Sequence, residues 1–287
     1  MPNAQGPTPI PAILETMSRP IPDYRNLDQS GDAERAAWRM EMRSVEPASD
    51  DMFKELVRPL LADVSRVLEF GCGTAALSRR IAAAKPEASV LATDASGAMV
   101  KAARELASSE SAGNLRVEVW DVRNPDVLPD KGPFDLIVSS VVVRYLDEEE
   151  ARSAIAFLAG RLAPGGIIAF VEQDLATDSL YSNHDKAVHR IFNKEFRQVE
   201  PWTGLGLFTI LSHQGLSLLP RKSFIWTTQS FGPYMRELTE QMARHAVAKD
   251  RITQEEMDDF LADLEALAAS GAFYYGLVYH LIAARTA

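Results

Sequence analysis

The sequence predicts an α/β fold in which parallel strands alternate with helices, and three segments carry that prediction. The first is Val67-Leu68-Glu69-Phe70, an apolar run that breaks into Gly71-Cys72-Gly73 and then into helix formers beyond Thr74. The second, Ser89-Val90-Leu91-Ala92-Thr93-Asp94, ends on a lone acid, and the third, Leu115-Arg116-Val117-Glu118-Val119-Trp120, runs into Asp121-Val122. Short apolar runs separated by helix-length stretches are the pattern of βαβ units.

The first segment reads as a buried strand, a tight turn and a helix start. Glycine is needed where the backbone turns sharply and lies against a ligand, and the helix start presents free amide N–H groups. A nucleotide or nucleoside site is therefore expected. Asp94, at the carboxyl end of the second strand, stands where an acid grips ribose hydroxyls. Gly71-x-Gly73-x-x-Ala76 with Asp94 also fits a dinucleotide site. Two features argue against that alternative. Glu69, two residues before the first glycine, suits a cationic amino group and would repel a pyrophosphate. The pair Asp121-Val122 suits an adenine amino group and one ring face.

With these residues in place, the chain resembles the class I S-adenosylmethionine-dependent methyltransferases from about residue 64 to residue 172. The ordered set Glu69-x-Gly71-x-Gly73, Asp94-Ala95 with Met99, Asp121-Val122, Phe134-Asp135-Leu136-Ile137-Val138-Ser139-Ser140 and Leu162-Ala163-Pro164-Gly165-Gly166 carries the resemblance. It implies a Rossmann-like, seven-stranded, mostly parallel sheet with an antiparallel last strand and a helical lid or cap. It further implies S-adenosyl-L-methionine as cofactor. Gly71 and Gly73 would pass under its methionine part, Glu69 would fix the amino group, and Asp94 with Ala95 would hold the ribose. Met99 would flank the adenine, Asp121 and Val122 would bind its edge, and Ser139 would contact the methionine end. Two positions depart from the pattern. Ala75 stands where many members carry another glycine, and Arg144 stands where relatives often place a histidine.

Composition is consistent with an enzyme of this size. The 287 residues suffice for one α/β domain plus an appendage, and the net charge of -10, from 30 Lys and Arg against 40 Asp and Glu, leaves no global field to attract nucleic acid or anionic lipid. Cys72 is the single cysteine, so neither an intramolecular disulfide nor a cysteine metal cluster is available. No leader and no run long enough to span a bilayer is visible, so a soluble cytoplasmic protein is expected, with no membrane partner and a homodimer left open.

Along the chain, residues 1–23 are proline-rich and read as an extended arm. Residues 24–62 hold two helices, near 32–45 and 49–62, which by the resemblance form a lid. Residues 63–175 form the cofactor-binding core, with Ser96 as an N-cap, a helix over 147–161, and a fifth strand over 167–172 after the Pro164-Gly165-Gly166 turn. Residues 176–214, with Tyr181, His184, His189, Phe192, Phe196 and Trp202, read as a substrate cap. Residues 215–287 complete the sheet around helices near 234–249 and 254–269, the second opened by the capping box Thr253-x-x-Glu256.

A sulfonium methyl is already electrophilic, so the protein must align a nucleophile and remove its proton where it has one. The sharpest assignment is His184 or His189 as base, with Arg144 orienting an anionic or carbonyl group. Ser140, Glu172, Gln173 and Asp174 are further polar groups at strand ends. Asp174, Asp178 and Asn183 lack a diagnostic metal spacing, and no metal is assigned. The expected function is methyl transfer to an O, N or C atom of a small, aromatic or polyketide-like metabolite. The alternatives are a cofactor-binding protein that catalyses a cyclisation or rearrangement without methylation, and a non-catalytic binding module. Protein or RNA methylation is disfavoured by the acidic balance and by the lack of an Asn-Pro-Pro-Tyr type signature after the fourth strand.

Overall fold

The structure, a computed structural model, describes residues 22–192 and 205–286. Most of the proline-rich arm, together with Phe196 and Trp202, lies outside the described residues. The amino-terminal part is helical: α1 (Leu27–Ser30), α2 (Ala33–Ser44) and α3 (Pro47–Met52), followed by a π-helical turn at Phe53–Val57 and a 3-10 turn at Arg58–Leu61. The expected second helix is therefore present but changes its winding, and Pro59, inside the 3-10 turn, lacks the N–H that a continuing α-helix would use.

Strands and helices then alternate: β1 (Arg66–Phe70), α4 (Ala76–Ala84), β2 (Ser89–Asp94), α5 (Gly97–Ser109), β3 (Leu115–Val119), β4 (Phe134–Ser140), α6 (Glu148–Ala159) and β5 (Leu162–Leu180). Local chemistry sets the helix starts. The Ser96 hydroxyl accepts from the Met99 N–H at 3.1 Å, and Asp147 with Glu150 forms a capping box at α6. Past β5 come α7 (Asp185–Ile191), α8 (Leu205–His213), β6 (Ser217–Leu218), β7 (Lys222–Thr228), α9 (Pro233–Ala248), α10 (Gln254–Ala269) and β8 (Tyr275–Arg285). The Thr253 and Glu256 capping box opens α10 as expected.

The sheet runs β3-β2-β1-β4-β5-β8-β6, with β7 also paired to β8. Strands β1 to β5 are mutually parallel and β8 is antiparallel to β5, β6 and β7. The eighth strand beyond the seven expected is the two-residue β6. Helices cover both faces. One core packs Ile81, Trp226, Met242 and Phe260 against β1 and β4 side chains, and the other packs Leu158, Ile155 and Leu211 against Phe70 and Phe170. The strand order reverses between β1 and β4, which opens a crevice at their carboxyl ends.

β5 differs from its expected bounds. The Pro164-Gly165-Gly166 segment lies inside the strand, which continues to Leu180 because β8 pairs with it over Ile167–Asp174 and again at Ser179 and Leu180, with a register shift between. The first residues of the expected cap are thus sheet.

Candidate functional site

A cavity of about 1300 Å³ opens over the carboxyl ends of β1, β2 and β4. Its floor is the turn after β1. Gly71 (φ +63) and Gly73 (φ +54) are left-handed, a conformation glycine adopts without strain, and Ala75 (φ 59) shares it. A Cβ at Gly71 would stand 2.6 Å from both methyls of Val142, and one at Gly73 would collide with the Met40 thioether of α2. The bare backbone therefore lets Val142 and Met40 pack directly onto the turn, with no room for a side chain at either glycine. Ala75 keeps the turn closed by donating its N–H to the Cys72 carbonyl at 2.8 Å.

Asp94 ends β2 beside this turn. One carboxylate oxygen accepts from the Gly73 N–H at 2.8 Å and the other from the Ser96 N–H at 2.9 Å. Burial pushes its carboxyl above the ordinary value, and these two backbone bonds oppose the shift. Ala95, Asp121 and Val122 line the same cavity. Partial burial raises the Asp121 carboxyl, but hydrogen bonds and charge from Arg123, at 2.7 Å, hold it below its usual range overall. Trp120 also lines the cavity, and its buried indole N–H has no hydrogen-bond partner. Two acceptor carboxylates and the glycine backbone on one wall fit the ribose and purine groups of a nucleoside.

Glu69 borders the cavity but is partly committed elsewhere. It is 2% exposed, and one oxygen accepts from both the N–H and the hydroxyl of Ser78 in the first turn of α4. No side chain at the N-cap position itself serves α4, so Glu69 does. Burial pushes its carboxyl up to about 7.

Other expected site residues lie elsewhere. Ser139 does not border the cavity; side chains alternate along β4, so Ser140 faces it and the buried Ser139 hydroxyl, without a partner, faces away. Met99 is 1% exposed and packs against Leu27 and Ala36 beneath α1 and α2, away from the cavity. His184 precedes α7 and His189 is exposed on it; neither borders the cavity. The reason is that α7 packs on α9 and α10, with Ser182 and Asn183 tied to Asp263 at 2.6 Å and 2.7 Å. Among the described residues, none from 176–214 borders the cavity. That wall comes from α9 instead, through Tyr234, Leu238, Met242 and His245, a stripe along one helix face.

Arg144 does line the cavity. It is 4% exposed and donates to the Gln173 side-chain oxygen at 2.8 Å, while Gln173 donates to the Tyr279 hydroxyl at 2.5 Å. Glu172 points to the other side of β5, where one oxygen accepts from the Val142 and Val143 N–H groups at 3.2 Å each. The loop carrying Arg144 is thus fastened from β5.

The amino-terminal helices cover the glycine turn. Asp28 accepts from the Gly97 N–H at 2.8 Å and from the Ser96 hydroxyl, clasping α1 to α5. Arg25 reaches the Tyr145 carbonyl at 2.8 Å and Glu150 at 2.9 Å. In α2, Arg35, Arg39 and Arg43 fall four residues apart on one face. Arg35 and Arg39 share Glu237 of α9 at 3.0 Å and 3.2 Å. Burial pushes the Tyr145 hydroxyl up to about 12, and Arg144, Arg39 and Arg43 pull against it, so these three guanidinium groups converge. This arginine stripe is a signal that the apolar pattern of the helix conceals.

Residues 67–166 match the model of the methyltransferase domain family. The chain is 31% identical over 145 residues to a trans-aconitate 2-methyltransferase of Deinococcus radiodurans, covering 50% of this chain and 48% of that protein. It is 35% identical over 123 residues to a malonyl-[acyl-carrier protein] O-methyltransferase of Magnetococcus marinus, covering 42% and 43%. The chain thus spans about half the length of the curated relatives it matches. In fold it is similar to a phosphoethanolamine N-methyltransferase of Haemonchus contortus (TM-score 0.56, 15% identity, 92% of this chain and 60% of that one). It is also similar to the [4+2]-cyclase SpnF (TM-score 0.51, 18% identity, 83% and 80%). With the glycine turn, the strand-end acids and the sheet order in hand, residues 67–166 form a methyltransferase domain of the class I S-adenosylmethionine-dependent family, and the chain carries that family's fold.

Proposed function

We propose that the protein transfers a methyl group from S-adenosylmethionine to a small molecule enclosed beneath the amino-terminal helices. The observation that carries this reading is the convergence of the Gly71–Gly73 backbone, Asp94 and Asp121 with Val122 on one covered cavity. When bound, the cofactor supplies an electrophilic methyl group on a sulfonium. Asp94 would accept from the ribose hydroxyls, Asp121 and Val122 would meet the adenine, and the glycine backbone would lie under the methionine part. Glu69, with one oxygen spent on Ser78, retains the other for the amino group. The lid excludes water from the reacting centre.

The acceptor faces Arg144, Tyr145, Gln173 and the α9 stripe, a wall of arginines, tyrosines and aliphatic side chains. Phe192 does not border this wall, and the proposal names a small enclosed acceptor without its chemical class. Among the described residues no helix is long and apolar enough to cross a membrane. The test is calorimetric titration with S-adenosylmethionine and S-adenosylhomocysteine, followed by mass spectrometry of candidate acceptors. Micromolar binding of both and a mass gain of one methyl support the reading. Failure of both to bind overturns it, and binding with a rearranged but unmethylated product assigns the pocket to a different reaction.

A further inference from the structure

The acceptor side of the cavity is lined by three guanidinium groups, those of Arg39, Arg43 and Arg144. They meet two carboxylates, Glu237 and Glu172. Glu237 is shared by Arg35 and Arg39, and Glu172 lies across β5 with one oxygen spent on backbone N–H groups. The Arg43 side chain borders the cavity and, among the described residues, makes no hydrogen bond or ion pair, while its carbonyl accepts from the Ser49 hydroxyl at 2.6 Å. The Arg144 side chain is nearly fully buried; among the described residues its hydrogen-bond partner is the neutral Gln173, and its Nε is buried without one. Nη1 of Arg39 is buried and unpartnered as well. Buried cationic donors without acceptors are costly, and the cost is recovered when an anion completes them. The planar guanidinium fork matches the two oxygens of a carboxylate.

We propose that the acceptor is a small acid with at least two carboxylates, held under the lid by the guanidinium groups of Arg43 and Arg144. The proposal rests on the methyl-transfer reading and names the substrate class of that same site. Two singly charged guanidinium groups on separate elements, one from the lid and one from the loop after β4, match two singly charged carboxylates better than one doubly charged phosphate. The tyrosine hydroxyls at 24, 145 and 234 add neutral donors around them. Gln173 is a positioning residue, because it holds Arg144 from β5.

The chemistry of a carboxylate acceptor needs no histidine base. His184 and His189 lie outside the cavity, and His245 borders it from the last turns of α9. A carboxylate brings its attacking oxygen already deprotonated. As the O–C bond forms the S–C bond breaks, the carboxylate's negative charge and the sulfonium's positive charge cancel, a methyl ester and a thioether result, and no proton moves.

The experiment is calorimetric titration of the full chain, with and without S-adenosylhomocysteine, using propane-1,2,3-tricarboxylate, its triamide and glycerol 3-phosphate as probes. The tricarboxylate should bind at least about tenfold more tightly than the triamide, the loss expected when charge-assisted bonds become neutral ones. Arg43→Gln and Arg144→Gln should each weaken tricarboxylate binding about tenfold or more and leave S-adenosylhomocysteine affinity within about twofold. Equal binding of acid and triamide overturns the proposal, as does tighter binding of the phosphate ester. So does undiminished acid binding in variants that still bind S-adenosylhomocysteine. The comparison of acid with triamide needs only the unaltered protein and decides the matter if a variant fails to fold. Binding of S-adenosylhomocysteine without the acid defeats this proposal alone, and binding of the acid without S-adenosylhomocysteine defeats the methyl-transfer reading alone.

Discussion

Gly71→Ala is expected to lower both stability and cofactor affinity through two separable costs. At φ +63 an alanine sits in left-handed backbone, which costs about 1–2 kcal/mol. Its Cβ would also stand 2.6 Å from both methyls of Val142, an overpacking that costs about 1–3 kcal/mol. Val142 cannot retreat freely, because its N–H and that of Val143 are held by Glu172 at 3.2 Å. The sum, about 2–5 kcal/mol, corresponds to a fall in melting temperature of about 4–10 °C for a chain of this size. The strain also reaches Arg144 through the same loop. Val142→Ala removes the two offending methyls, so the double variant should recover the steric share and keep the backbone share. Melting curves of the two single variants and the double variant give a coupling energy, expected at about 1–3 kcal/mol in the favourable direction. Additive effects, or a loss below about 1 kcal/mol for Gly71→Ala, would refute the steric argument.

Further outcomes follow from the same structure. Asp94→Ala removes the acceptor of the Gly73 and Ser96 N–H groups and should weaken S-adenosylhomocysteine binding about tenfold or more, since charge-assisted hydrogen bonds contribute about 1.5–3 kcal/mol; unchanged calorimetric affinity would remove Asp94 from the site. Burial lifts the Glu69 carboxyl from 4.5 to about 7, so the folded protein holds this proton more tightly than the unfolded chain does. Its ionisation opposes folding, and stability should fall as pH rises from 4.5 to about 7. Glu69→Gln should flatten that part of the profile of melting temperature against pH, and an unchanged slope would show that Glu69 does not titrate there. Glu237→Gln removes the carboxylate that Arg35 and Arg39 share and should cost about 3–5 kcal/mol in urea unfolding. A neutral effect would mean that water reaches the pair.

Local segments were the most legible in the sequence. Val67 to Gly73, Ser89 to Asp94 and the Thr253-to-Glu256 box are contiguous patterns whose physics acts over a few residues, and each lies where it was expected. The strand-end acids were legible too, because an acid ending a buried strand has few alternatives to facing the crevice. Which neighbour on a strand faces the cavity was not, since Ser139 and Ser140 differ by one step of a two-residue alternation that only the sheet register settles. Met99 illustrates the same limit on a helix: its spacing from Asp94 is right for adenine contact, but the arrival of α1 and α2 buries it under Leu27 and Ala36.

By itself, the sequence determined the order of strands and helices, the glycine turn and the candidate cofactor acids, because these depend on backbone freedom, periodicity and neighbouring residues. Tertiary structure alone decided what borders the cavity. Among the described residues, α7 docks on α9 and α10, and the cavity is bordered by the amino-terminal helices and α9. That choice depends on which buried charges find partners across the chain, such as Arg35 and Arg39 with Glu237 some two hundred residues away. Such pairing is invisible to local pattern, and it leaves Arg43 and Arg144 facing the cavity.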